Sequence, residues 1–246
     1  MNYDALALVY DEFTLNAEYE KRAEYFTEIL AQNGIKSGVL LDLACGTGTL
    51  SFLLEKSGFD VIGADISEEM LSVAAAKKAR FGSNVLFINQ DMRAVELYSK
   101  LSACICSLDS INHLESIEDV KKAFGSLSDF TEKNGIFIFD VNTEYKHTHI
   151  LADNCFVYEN DDCFLSWQNE LCADNSVEIY LDLFIEENGL YRRESECFKE
   201  YLYSETELKD ALGETGFEVL DIYDDLSFEQ PTDTSQRKVY VCRKVN

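Results

Sequence analysis

The chain has 246 residues, enough for one large core or a core with a small appended unit, and 46% hydrophobic residues, with 16 Phe and 13 Tyr, exclude a disordered polymer. Its 46 acidic against 21 basic side chains give a formal charge of −25 and an isoelectric point near 4.3. That balance argues against nucleic acid and anionic membranes as partners, because both are bound through clustered Lys and Arg; only scattered pairs such as Lys77-Lys78 and Arg192-Arg193 occur.

Residues 1–37 read as an N-terminal cap with a helical stretch from Ala17 to Gln32. Early acids and the lack of a basic start predict no secretory leader. No apolar run approaches the ~20 residues of a membrane span. The eight cysteines form no C-x-x-C pair, and several sit inside apolar strands. They are expected to be reduced thiols in a cytoplasmic protein, with no metal site.

The strongest signal follows. Residues 39–50 read VLLDLACGTGTL: five of the first six residues are apolar, interrupted only by Asp42, as in a strand buried on both faces of a parallel sheet. Gly46 and Gly48 then make a turn, and a helical pattern starts at Leu50. Strand, glycine turn and helix let backbone approach a nucleotide-like ligand at the carboxyl edge of a sheet. A dinucleotide fingerprint wants a third glycine where Ser51 stands, and Asp42 would repel a pyrophosphate but attract an ammonium. The expected ligand is nucleoside-like and cationic, without a phosphate.

A second strand, Phe59 to Ala64, ends at Asp65, where an acid takes a ribose diol through two charge-assisted hydrogen bonds; NAD sites use the same device. Ser67 begins a helix with Glu68 and Glu69 in its first turn. Ile66 and Met70 are placed either to flank an adenine ring or to pack beneath that helix. A third strand, Val85 to Asn89, runs into Gln90, Asp91 and Met92. Beyond the fourth strand, near 102–107, residues Leu108, Asp109, Ser110, Asn112 and His113 are expected to line the crevice outside the strand ends. The alternation continues with a helix near 117–131 and a strand near 135–141.

Lys146 to Tyr203 breaks the rhythm. Cys163–Leu171, Val177–Glu186 and Leu190–Leu202 alternate with period two between polar turns, which predicts an antiparallel meander of three or four strands. His147 and His149, at its start, are expected at the surface. Ser204 to Glu207 resembles a capping box, opening a helix to about Glu214. Gly216–Tyr223 and Arg237–Arg243 make the last two strands. The domain expectation is a 1–37 cap, an α/β unit of 38–145 with 204–246, and an inserted β lid at 146–203.

The string LDLACGTGTL resembles the first motif, D-x-x-C-G-x-G, of the class I S-adenosylmethionine-dependent methyltransferases. The resemblance implies that Asp42, Ala44, Cys45, Gly46 and Gly48 cradle the methionine end of the cofactor. It also implies that Asp91 accepts from the adenine amino group, with the Met92 N–H on a ring nitrogen and Leu108 beside the cofactor. The opening Y-x-x-x-A-x-x-Y-D, Tyr3 to Asp11, is similar to that of small-molecule members with a sheet inserted after the fifth strand. There Tyr3 and Tyr10 close over the sulfonium or pack as core tyrosines. The fold implied is a Rossmann-like seven-stranded mostly parallel sheet with helices on both faces, an inserted antiparallel sheet and an N-terminal helical cap. One departure is Phe198, where many relatives carry histidine.

The resemblance implies in-line methyl transfer to a small-molecule acceptor, releasing S-adenosylhomocysteine. His113 is the candidate base, with a packing or capping role as the alternative, and Asp109 is the candidate holder of an acceptor amine. Alternatives are methylation of a protein side chain or terminus, and a non-catalytic S-adenosylmethionine-binding partner protein. A nicotinamide oxidoreductase stands behind both. Oligomeric state is left open.

Overall fold

The computed structural model describes residues 17–160, 163–187 and 189–245; the expectations for Tyr3 and Tyr10 lie outside the described residues. Apolar runs form the strands Val39–Leu43 (β1), Asp60–Asp65 (β2), Leu86–Asn89 (β3), Leu101–Cys106 (β4) and Thr131–Asn142 (β5). They alternate with helices, and the helix Tyr19–Gln32 (α1) precedes them. Thr49–Lys56 (α2), Glu68–Phe81 (α3) and Ile117–Phe130 (α4) complete the alternation. The chain closes with Glu205–Glu214 (α5), Phe217–Asp224 (β10) and Arg237–Lys244 (β11). Ser204 caps α5 in a full capping box with Glu207, as its spacing predicts.

The seven strands stand in the order β10-β11-β5-β4-β1-β2-β3. β1 to β5 are parallel, and β11 is antiparallel to both β5 and β10. Alternate residues feed two apolar layers. Leu41, Leu43, Phe137, Phe139 and Tyr240 pack under Phe124 of α4 and Leu208 of α5. Leu40, Ile105, Ile136, Ile138 and Val239 meet Phe26 of α1 and Leu54 of α2 on the opposite face. The strand order reverses between β1 and β4, and that switch point is where an open α/β sheet leaves a crevice. No helix among the described residues is long and apolar enough to cross a membrane.

After β5 a single π-helical turn, Lys146–Leu151, leads into a separate antiparallel sheet. Its strands are Cys155–Glu159 (β6), Cys163–Leu171 (β7), Val177–Glu187 (β8) and Leu190–Glu200 (β9), in sequential order. The period-two pattern buries Leu165, Ile179, Leu181 and Leu183 on one face. His147 corrects the expectation of a surface residue: it is fully buried, its Nδ1 2.8 Å from the Asn175 carbonyl, because the turn tucks beneath this sheet. His149 is exposed, stacked on Tyr145.

Gly48 caps α2 with φ +76, and a Cβ there would sit 2.6 Å and 2.9 Å from Phe87 ring atoms and 3.2 Å from the Ala74 Cβ. Gly48→Ala should therefore destabilise the fold by about 1–3 kcal/mol in urea unfolding. An unchanged midpoint would mean that Phe87 swings aside freely.

Candidate functional site

The β1–α2 turn is sharp because Ala44, Gly46 and Gly48 all have positive φ. The Cys45 N–H donates to the Ala64 carbonyl, and the Gly46 N–H donates to Asp65 Oδ2 at 2.8 Å. Asp65 Oδ1 accepts from the Ser67 N–H at 2.9 Å. This ties the glycine turn to the tip of β2. Above it opens a cavity of about 270 Å³ at the carboxyl ends of β1 to β4.

Its wall carries Asp42, Ala44, Cys45, Gly46, Asp65, Ile66, Met70, Asp91, Met92 and Leu108, together with Gln90, Arg93, Ser110 and His113. Gly48 stands behind that wall: a Cβ there would meet Phe87 and Ala74 of α3. Gly46 is different. A Cβ built on it meets only Met70 Sδ, at 4.0 Å, so it would stand in open cavity space.

Asp42 is 2% exposed, and its Oδ2 accepts from Ser51 Oγ at 2.5 Å. Burial, opposed by that hydrogen bond and reinforced by the Asp65 charge, pushes its carboxyl up to about 7. Burial also raises Asp65, against the N–H groups of Ser67 and Gly46. Among the described residues no Lys, Arg or His side chain forms an ion pair with either acid. Two adjacent buried carboxyls with no basic side chain paired to them among the described residues are a costly arrangement, and a cationic ligand relieves it. The Cys45 thiol is pushed well up by burial and does not supply a thiolate.

Asp91 is more encumbered than its sequence position suggests. Arg93 donates to it from Nε at 3.0 Å to each oxygen and from Nη2, and the Arg93 N–H adds another hydrogen bond. These donors hold the carboxyl below its ordinary value. An adenine amino group would share Asp91 with Arg93.

A second cavity, about 560 Å³, lies between the sheet end, α1 and the inserted sheet. Leu165, Trp167, Leu181, Phe198 and Glu200 of the insert roof it, and Arg22, Asp109, Lys146, Asp225 and Arg237 line its lower wall. Leu108 and His113 line both cavities. The His113 ring packs edge-on against Phe198, 5.3 Å between centroids.

The shared wall is held from behind by Asp140, which is fully buried on β5. Its carboxylate accepts from Ser107 Oγ (2.9 Å), the Leu108 N–H (2.9 Å) and the Asp109 N–H (2.8 Å), and is bonded to Arg237 Nη1. Leu108 and Asp109 both have left-handed backbone, φ 58 and 54, so those hydrogen bonds offset local strain. Asp109 Oδ1 accepts from both terminal nitrogens of Arg237 at 3.0 Å, and its Oδ2 from Asn142 Nδ2 at 2.6 Å. Burial alone would raise Asp109, but Arg237, Lys146 and His113 outweigh it and hold the carboxyl well below the usual range. Both its oxygens are thus engaged inside the protein.

Ser110 lines the smaller cavity, as expected. One other expectation for this loop is corrected. Asn112 is fully buried and turned inward: its Nδ2 donates to the Tyr201 carbonyl (2.8 Å) and its Oδ1 accepts from the Asn142 N–H (2.9 Å). It stitches the loop to β5 and to the exit of the insert. Arg22, Lys146, Glu200, Asp225 and Arg237 were not singled out from sequence, because they come from separate elements and no local spacing links them.

Comparison with known proteins bears on these cavities directly. Residues 36–188 match the family described as a methyltransferase domain. A methyltransferase-family protein of Geobacillus sp. (strain WCH70) is 32% identical over 247 residues, covering 99% of this chain and 100% of its own. The crystal structure of an S-adenosylmethionine-dependent methyltransferase from Clostridium acetobutylicum ATCC 824 superimposes with a TM-score of 0.90 at 30% identity, over 99% of each chain. The dTDP-3-amino-3,4,6-trideoxy-alpha-D-glucopyranose N,N-dimethyltransferase of Streptomyces venezuelae is 30% identical over 134 residues, 54% of this chain and 55% of its own. The open backbone at Gly46 and the uncompensated acids Asp42 and Asp65 fit a cofactor that brings an ammonium and a sulfonium. The similarity runs the full length of the chain and the cavity suits the cofactor, so the protein belongs to the class I S-adenosylmethionine-dependent methyltransferases and uses S-adenosylmethionine.

Proposed function

We propose that this enzyme methylates the amine of a small molecule held in the larger cavity while S-adenosylmethionine occupies the smaller one. The observation that carries this reading is the wall common to both, made by Leu108 and His113. A cavity of about 560 Å³ suits a small molecule. Its acids Glu200 and Asp224, in no Lys or Arg ion pair among the described residues, favour an acceptor that arrives as an ammonium. The named activity of the Streptomyces venezuelae relative, an amino-sugar N,N-dimethyltransferase, supports the same acceptor chemistry. Residues 146–203 serve as a lid over a unit built from 38–145 and 204–246, with 1–37 as cap. The setting in this proposal is the cytoplasm, where eight free thiols persist.

The cofactor supplies an activated methyl group, so the chain's own task is chiefly placement. Asp42 faces the cofactor's ammonium, Asp65 its ribose hydroxyls, and Asp91 with the Met92 N–H its adenine edge. Ile66 and Met70 flank the ring. An ammonium acceptor must lose a proton before it can attack, and His113, at the junction, takes it. Asp109 sets the charge of the acceptor side through Arg237 and Asn142.

Asp42 gives this reading a pH signature. Its carboxyl sits at about 7 in the fold against an ordinary 3.8, so folding favours the protonated form. The stability it contributes is full below 3.8 and is lost as pH rises through 7. The ionised form attracts the cofactor's ammonium, so affinity for S-adenosylmethionine should fall as pH drops below 7. Asp42→Asn, neutral at every pH, should raise the unfolding temperature of the ligand-free protein at pH 8 yet weaken cofactor binding there by about 10- to 100-fold. Calorimetry on both proteins checks the pair of effects; equal affinities would remove Asp42 from the cofactor's charge balance.

His113→Gln keeps the side-chain volume and should lower kcat by about 100-fold or more, with the cofactor Kd changed less than about threefold. Wild-type turnover in that variant would leave His113 a packing partner of Phe198.

A further inference from the structure

Besides His113, the larger cavity holds one lysine and two arginines, and they are not in the same condition. Arg22 is fully engaged: Nη1 and Nη2 clasp Asp225 at 2.9 Å and 3.0 Å, and Nε donates to the Ala17 carbonyl. Arg237 is likewise held by Asp109 and Asp140. Lys146 has a single acceptor among the described residues, the neutral Asn142 Oδ1 at 2.8 Å, and no carboxylate within ion-pair distance.

Asn142 stands between the lysine and two of the carboxylates that act on its charge, Asp109 and Glu200. Its Nδ2 donates to Asp109 Oδ2 (2.6 Å) and Glu200 Oε2 (2.7 Å), so its Oδ1 is left facing the ammonium. One amide thus takes both direct contacts to carboxylate on its nitrogen and leaves the lysine a neutral acceptor on its oxygen. The arrangement is built in, because the π-helical turn that carries Lys146 begins four residues after Asn142.

We infer that Lys146 is the seat of an anionic oxygen group, a carboxylate or a phosphate, on the acceptor substrate, opposite the acids that receive its amine. The inference deepens the small-molecule reading above and rests on it for the identity of the larger cavity. An ammonium has three donors, and with one used inside the protein the remaining two suit two oxygens of one anionic group. Arg22 and Arg237 cannot take this part without surrendering the ion pairs that anchor α1 and the 107–109 loop. Burial and the Arg237 charge lower the Lys146 ammonium from its ordinary value even against the charges of Asp109, Glu200 and Asp140, and an anion in direct contact would oppose that. The acceptor is then an amine that also carries a negative group, and a neutral amine of the same size is a poor substrate.

The test uses the full chain saturated with S-adenosylhomocysteine and titrated at constant ionic strength with inorganic phosphate and with acetate. Wild type should bind at least one, and the preferred ion distinguishes a phosphate-bearing from a carboxylate-bearing acceptor. Lys146→Met, and Lys146→Gln, whose amide can keep a contact to Asn142, should weaken that binding by roughly 10- to 100-fold, while Lys146→Arg retains most of it. S-adenosylhomocysteine affinity and the unfolding midpoint serve as folding controls. No binding of either ion to wild type, or equal binding in a folded Lys146→Gln variant, would overturn the inference. Methyl transfer to glycine, phosphoethanolamine and ethylamine separates the two readings. Turnover of ethylamine as efficient as that of the anionic amines overturns the inference. Lys146-dependent anion binding with no turnover of any amine supports the anion seat and retires the amine reading alone.

Discussion

Both cavities depend on the carboxylate of Asp140. It stands at the end of β5, fully buried, and three donors from residues 107–109 converge on it while Arg237 of β11 closes from the other side. Arg22 of α1 lies 3.8 Å away and is locked to Asp225, at the exit of β10. The N-terminal helix, the loop after β4 and the C-terminal antiparallel strands thus meet at one buried anion. Removing a partner from such a group leaves uncompensated charge, which costs about 3–5 kcal/mol. The charges set the backbone path of Leu108 and Asp109, whose N–H groups no apolar side chain could satisfy, and that path is the partition between the cavities.

The two cavities balance charge in opposite ways. The smaller one keeps Asp42 and Asp65 without a basic side-chain partner among the described residues, so a cationic ligand would complete these two acids. The larger one neutralises most of its charge internally, through Arg237 with Asp109 and Asp140 and Arg22 with Asp225, and leaves Lys146 to one side of Asn142. A site that waits for its counter-charge is less stable when empty, and the raised Asp42 carboxyl is the measure of that cost. A site that satisfies itself is rigid and selects by the few groups left over.

What the sequence discloses follows the range of each interaction. The β1 strand, the Gly46 turn, Asp65 and the Asp91 loop are legible because each is local: an apolar run, a glycine where φ must be positive, an acid at a strand tip. The capping box of Ser204 and Glu207 is legible for the same reason. The packing of Gly48 against Phe87 is not legible, since a motif glycine that makes room for a ring looks the same as one that makes room for a ligand. Asn112 and His147 mislead because polar residues after a strand read as exposed until the inserted sheet covers them. The network of Arg22, Asp109, Asp140 and Arg237 spans most of the chain, and no periodicity within one element records a partner in another. Lys146 is the extreme case, for its significance lies in a contact to Asn142, whose nitrogen holds two carboxylates from other elements.

The charge distribution also bears on how transfer is assisted. With an amine acceptor, positive charge leaves the sulfonium side and appears on nitrogen, so it crosses the wall of Leu108 and His113 from the smaller cavity to the larger. Acids already fixed where that charge arrives stabilise the transition state without reorganising. Glu200, Asp224 and Asp225 stand on that side, and Asn142 holds Glu200 in place. Lys146 opposes them as long as its own charge is uncovered. An anionic group seated on it removes the opposition at the moment the acceptor binds, so the same contact that selects the substrate also favours the arrival of charge on its nitrogen. Selection and rate are then joined through one amide, with Lys146 on its oxygen and two carboxylates on its nitrogen.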